Sequence, residues 1–189
     1  LTALGMLALA FPVALWQSDA HHQPFAGYGA LAWAVFAVLG VRSLLCLRRG
    51  EGWVACIAQF LCLLLWPSLV SLLALWGGDA AALAQGWTTL LVALPWLLLA
   101  ALSLWRWRAL SWPLGEAFAG ARSPLQTLVF ALLGVAWVAA LLQPGDAAPL
   151  AWLPVLNPAE LTQWLALLLG AYWLYSAEGP IGLRKLRVS

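Results

Sequence analysis

Nine cationic side chains and six apolar stretches alternate along this chain so regularly that the pattern itself dictates the fold class. The cations fall in three groups: Arg42, Arg48 and Arg49; Arg106, Arg108 and Arg122; Arg184, Lys185 and Arg187. The intervening connections, around Asp19, Asp79 and Asp146, hold no Lys or Arg. If each apolar stretch crosses a bilayer, one face receives every positive charge and the other receives none, which is the positive-inside pattern with the basic loops cytoplasmic.

Composition agrees with that reading. A soluble domain is about 45–50% apolar and about 25% charged, whereas this chain of 189 residues is 65% hydrophobic and 8% charged. A water-soluble core is excluded. The net charge of +2 reports topology and gives no nucleic-acid reading. The expected partners are the lipid bilayer and further helices of the same chain, and no cofactor is expected. Leu1 opens directly into an apolar run without the basic region of a signal peptide, so the segment is expected to belong to a longer chain.

A helix needs about 20 apolar residues, at about 1.5 Å each, to cross the hydrocarbon layer. Runs of this kind lie near residues 1–16, 27–47, 53–76, 87–105, 125–142 and 160–176. The expected architecture is all-α, a polytopic membrane helix bundle of about six transmembrane helices with both ends cytoplasmic, in a bacterial inner membrane. Of the fourteen tryptophans, Trp16, Trp53, Trp76, Trp87, Trp105, Trp107 and Trp152 fall at span ends as interfacial belts. Trp33, Trp66, Trp96 and Trp137 lie deeper, where each indole N–H needs a partner; packing is the simpler role, a wall for a lipid or sugar the alternative.

The connection from Arg106 to Pro124 mixes Trp107, Leu110, Trp112, Leu114 and Phe118 with three arginines. It reads as an ordinary loop with anchoring tryptophans, or as a short segment lying in the interface. Ala14–Ala20 and Ala74–Ala80 share an Ala-Leu-Trp-x-x-Asp-Ala pattern that recurs in looser form around Asp146. Duplicated hairpins or biased composition at helix exits would each produce it.

Ionisable groups inside a span are costly and usually functional. Apart from Arg42, near enough to a span end to snorkel, and Glu160, the first residue of the last stretch, none lies within the six stretches. The polar residues that remain there, Gln59, Ser71, Ser103 and Gln126 among them, suit hydrogen bonds between helices. Cys46, Cys56 and Cys62 fit no zinc spacing and read as small packing residues.

Four features carry the candidate site residues. Pro67 and Pro95 lie nine and eight residues from Trp76 and Trp87, about 12–14 Å deep at one level. With Trp66 and Trp96 beside them they could border a cavity. Asp19, Asp79 and Glu160 are carboxylates of the outer connections and weak candidates for an acid or base. His21 and His22 are the only histidines and weak metal candidates, because adjacent histidines do not share a helix face and no further ligand is near. No nucleophile elbow, phosphate loop or dinucleotide fingerprint occurs.

The last outer connection, Leu153-Pro154-Val155-Leu156-Asn157-Pro158-Ala159-Glu160-Leu161-Thr162-Gln163, joins an N-cap to a proline at the first helical position and an early carboxylate. These eleven residues resemble the C-terminal region of a bacterial multi-spanning membrane family, the domain of unknown function 2339. Its pattern there has leucine at the positions of Val155 and Ala159. The resemblance implies a longer protein with many helices and carries over no catalytic residue. Three functions follow: a non-catalytic structural or envelope-associated segment; a membrane enzyme acting on a lipid-linked or cell-wall sugar at the outer face; or part of a transporter or channel with its coupling residues upstream.

Overall fold

The computed structural model describes residues 2–21, 23, 25–48, 52–142, 146, 148 and 157–176. Among them all regular structure is helical. Six long helices follow in order: α1 Thr2–His21, α2 Gly29–Leu47, α3 Gly52–Ala80, α4 Gln85–Trp105, α6 Arg122–Leu141 and α7 Pro158–Tyr175, with the short α5 Trp107–Ser111 and a 3-10 segment Gly115–Ala121 between α4 and α6. Each of the six apolar stretches overlaps one long helix. Four helical runs, Gly29–Leu47, Gly52–Ala80, Gln85–Trp105 and Gly115–Leu141, are long and apolar enough to cross a membrane. Helices α1 and α7 fall outside that set: Gln17, Ser18 and Asp19 end the first, and Glu160, Thr162 and Gln163 open the last.

Helix α4 is the hub, packing on α3, α6 and α7, while α1 and α2 lie against α3. The apolar core follows this division. Ala10, Ala14, Trp33, Leu44, Leu65 and Leu69 form one cluster across α1, α2 and α3, with Trp33 edge-on to Trp66 at 6.5 Å. Leu97, Ala100, Leu125, Val129 and Leu133 form a second between α4 and α6. Phe130 stacks on Trp173 of α7 at 4.7 Å.

The connection after α4 is neither an open loop nor a helix turned toward lipid. Leu110, Leu114 and Phe118 are buried, the last two against Ala55 of α3, and Trp107 stacks on Phe118 at 5.5 Å. The amide of Gln59, itself 2% exposed, donates from Nε2 to the carbonyls of Leu110 and Trp112, and the Cys56 thiol donates to the Ala117 carbonyl at 3.0 Å. Pro113 and Gly115 break any long helix, and the short pieces fold inward as a plug. The plug closes the end of the bundle where α2 finishes and α3 begins, so Arg48, Arg106, Arg108 and Arg122 share that end. Asp19, Asp79, Asp146 and Glu160 belong to the opposite end.

Two close approaches fix the acidic end. Helix α3 ends in a Schellman turn in which the amide of Leu83 donates to the Gly78 carbonyl and that of Ala82 to the Asp79 carbonyl. Ala82 holds the left-handed position at φ +48°, usually taken by glycine. On the other side, the Gly86 amide donates to the Asp146 carbonyl at 2.9 Å. Asn157, 2% exposed, caps α7 by accepting from the Ala159 amide at 3.1 Å. A side chain at Gly86 would meet the Asp146 carbonyl oxygen at 2.6 Å and Asn157 Oδ1 at 3.1 Å, so the Asn-Pro start of α7 seats on the bare backbone opening α4.

These turns predict opposite outcomes. Ala82→Gly relieves the left-handed strain and raises stability by about 1 kcal/mol, seen as a higher unfolding midpoint in detergent. Gly86→Ala forces α7 off α4 and lowers stability by about 1–3 kcal/mol; an unchanged midpoint would show that the contact carries no energy.

Candidate functional site

Pro67 of α3 and Pro95 of α4 lie at one level, and a hydroxyl group ties the two helices together beside them. A proline at residue 95 lacks an N–H and crowds the carbonyls one turn before it. The Ser71 hydroxyl of α3 donates to the Val92 carbonyl of α4 at 2.8 Å, and the Trp96 indole Nε1 donates to Ser71 Oγ at 3.1 Å. This relay staples α3 to α4. In an antiparallel pair with Ser71 opposite Val92, moving four residues along each helix sets Pro67 opposite Trp96, next to Pro95.

The four residues around this level do not line a common cavity. Trp96 faces a cleft of about 540 Å³ between α4 and α6. Pro95 borders a shallow groove of about 410 Å³ on the other side of α4. Trp66 lines a small pocket of about 130 Å³ between α2 and α3, and Pro67 is buried in α3.

The cleft at Trp96 is a wedge. Toward the arginine-bearing end, α4 and α6 are bound together: Gln126 Nε2, on a side chain 1% exposed, donates to the Ser103 carbonyl at 3.0 Å. Beside it, Arg122 Nη2 donates to the Leu104 carbonyl at 3.3 Å, with its guanidinium 5.7 Å from the Trp107 ring centroid. Leucines 97 and 133 fill the space between the helices there. Toward the acidic end α6 offers only Ala136, Ala139 and Ala140, and the cleft opens. The opposite wall runs from Trp96 through Ala93 and Val92 to Thr89, Thr88 and Gln85, about 16 Å at helical rise. The polar residues gather at the mouth, where Thr89 Oγ1 donates to the Gln85 carbonyl at 2.9 Å.

A second recess, of about 500 Å³, lies at the acidic end. Asp19 and Ser18 from α1 and Asp79, Trp76 and Leu72 from α3 line it. Two of the three carboxylates legible as acid or base candidates therefore meet on one surface, although sixty residues separate them. Leu75 lines both the recess and the cleft. Glu160 is elsewhere, in the first turn of α7. His21 closes α1, but its side chain, like His22, lies outside the described residues. Among the described residues no three His, Cys, Asp or Glu converge to hold a metal.

Sequence reasoning missed Ser71, the Thr-Gln mouth and the alanine wall as parts of one site. The signals were present: a hydroxyl one turn after Pro67, and small residues at 136, 139 and 140 on a single helical face.

Comparison with protein-family models gives a match whose extent is decisive. The chain has no match among curated proteins and none among solved structures. The family described as "Predicted membrane protein (DUF2339)" matches residues 1–187, far beyond the eleven residues of the Asn157-Pro158 motif. With that coverage, and with four helices apolar and long enough to span a bilayer, the chain belongs to the DUF2339 family of predicted membrane proteins.

Proposed function

We propose that this chain is a non-catalytic structural segment of a multi-pass protein of the bacterial inner membrane, crossing six times with both ends cytoplasmic and serving the cell envelope. The observation that carries this reading is how the interior polar groups are used. Gln59 ties α3 to the plug, Ser71 and Trp96 tie α3 to α4, and Gln126 ties α4 to α6. Each is spent on joining one element to another. The packing of α1 on α3 and of α7 on α4 supports counting these two helices among the crossings. The clustering of Arg48, Arg106, Arg108 and Arg122 at one end supports a cytoplasmic orientation for that end.

A second reading is supported by the meeting of Asp19 and Asp79 in one recess: a membrane enzyme handling a lipid-linked or cell-wall sugar at the outer face, with one carboxylate as base.

One experiment tests the topology and a second separates the two readings. A fluorescent protein fused after Ser189 is bright in intact cells under the six-crossing topology; a dark fusion there, with an active alkaline phosphatase at the same point, contradicts it. Asp19→Asn, Asp79→Asn and Glu160→Gln leave envelope integrity unchanged under the structural reading. Loss of function in Asp19→Asn or Asp79→Asn, with normal membrane insertion, transfers the assignment to the enzyme.

A further inference from the structure

We infer that the cleft between α4 and α6 binds the hydrocarbon tail of a lipid whose hydroxyl-bearing head carries no net negative charge and lies at the acidic end of the bundle.

The shape and the sorting of polarity along the cleft select this occupant. A volume of about 540 Å³ falls in the range of about 300–1,000 Å³ typical of small-molecule sites. The deep end, at Trp96 and Leu133, is apolar, and the indole N–H of Trp96 is already committed to Ser71, so nothing polar is needed from the ligand there. The alanine wall of α6 keeps the space open where leucines would close it. At the mouth the polar groups are the Gln85 amide, the Thr88 hydroxyl and the Thr89 hydroxyl, the last an acceptor only, because its proton goes to the Gln85 carbonyl. All three are uncharged, and together they supply donors and acceptors for hydroxyl groups.

Charge decides between head groups. Among the described residues no cation lines the cleft; Asp146 lies beside its mouth, its carbonyl accepting from the Gly86 amide next to Gln85, and Asp19 and Asp79 line the recess that shares Leu75 with the cleft. Carboxylates so placed repel a phosphate-bearing head and accept hydrogen bonds from a glycerol or sugar hydroxyl. Entry is open from the side of the bundle: Leu132 lines the cleft, and Val135, on the same helix, is 70% exposed. A lipid tail can thus slide in from the bilayer without a path through water. Binding of this kind needs no catalysis by the recess and stands under either reading of function.

The test is native mass spectrometry of the purified chain in detergent with dioleoylglycerol or dioleoylphosphatidylglycerol added. Wild type and the control Val135→Phe retain a dioleoylglycerol adduct. The double variant Ala136→Phe/Ala139→Phe, which fills the cleft, lowers adduct occupancy at least tenfold, and Gln85→Leu/Thr89→Val weakens it while leaving the fold intact by circular dichroism. Four results would each overturn the inference: no adduct in wild type; an adduct indifferent to cleft filling; equal retention of dioleoylphosphatidylglycerol; or a protein dimer that cleft filling dissociates, which would assign the cleft to a second copy of this chain. None of the four would alter the envelope phenotypes that separate the structural from the enzymatic reading.

Discussion

Helices inside a bilayer gain nothing from hiding leucine against leucine, because lipid tails are as apolar as the leucines themselves. Association must come from close packing and from hydrogen bonds between side chains and neighbouring backbone. In this bundle three such contacts set the positions of the central elements. Gln59 holds the plug to α3, the Ser71–Trp96 relay holds α3 to α4, and Gln126 holds α4 to α6. Helix α4 takes part in two of the three and becomes the hub. Gln126 ties α4 to α6 toward the arginine-bearing end; beyond Trp96 toward the acidic end, α6 faces α4 with alanines and a cleft remains.

Much of this was legible in the sequence for a simple reason. The apolar runs are long, and a helix is the structure that satisfies every backbone group within one segment in lipid. The Asn157-Pro158 cap was equally plain, since it depends on a local hydrogen bond that residue identity specifies. The level of Pro67 and Pro95 also followed from counting residues along two helices joined by a short turn. What counting could not supply was which way each helix faces. Trp66, Pro67, Pro95 and Trp96 share a level yet face three different directions, because each residue along a helix is rotated by about 100° from the last. The plug was hidden for a related reason: its composition suits an interface, and only the inward turn of Leu110, Leu114 and Phe118 shows that it packs on protein.

The acidic end gathers features that lie far apart in the chain. Gly86 must be bare for the Asn157 cap to seat, and the Schellman turn brings α4 back along α3. The cleft and the recess of Asp19 and Asp79 share Leu75 in their linings. A surface that presents hydroxyls, an amide and two carboxylates beside an apolar wedge is chemically different from the arginine-bearing end. The division matches the asymmetry of a membrane whose two faces differ in charge.

The contact that most directly represents this account is the relay across the prolines, and a double-mutant cycle measures it. Unfolding free energies in micelles of wild type, Ser71→Ala, Trp96→Phe and the double variant give the coupling between the two side chains. A value of about 0.6–1.7 kcal/mol, the range for hydrogen bonds between membrane helices, is the result predicted. Strict additivity, with each single variant acting independently of the other, would contradict the claim that polar ties set the packing of α3 on α4.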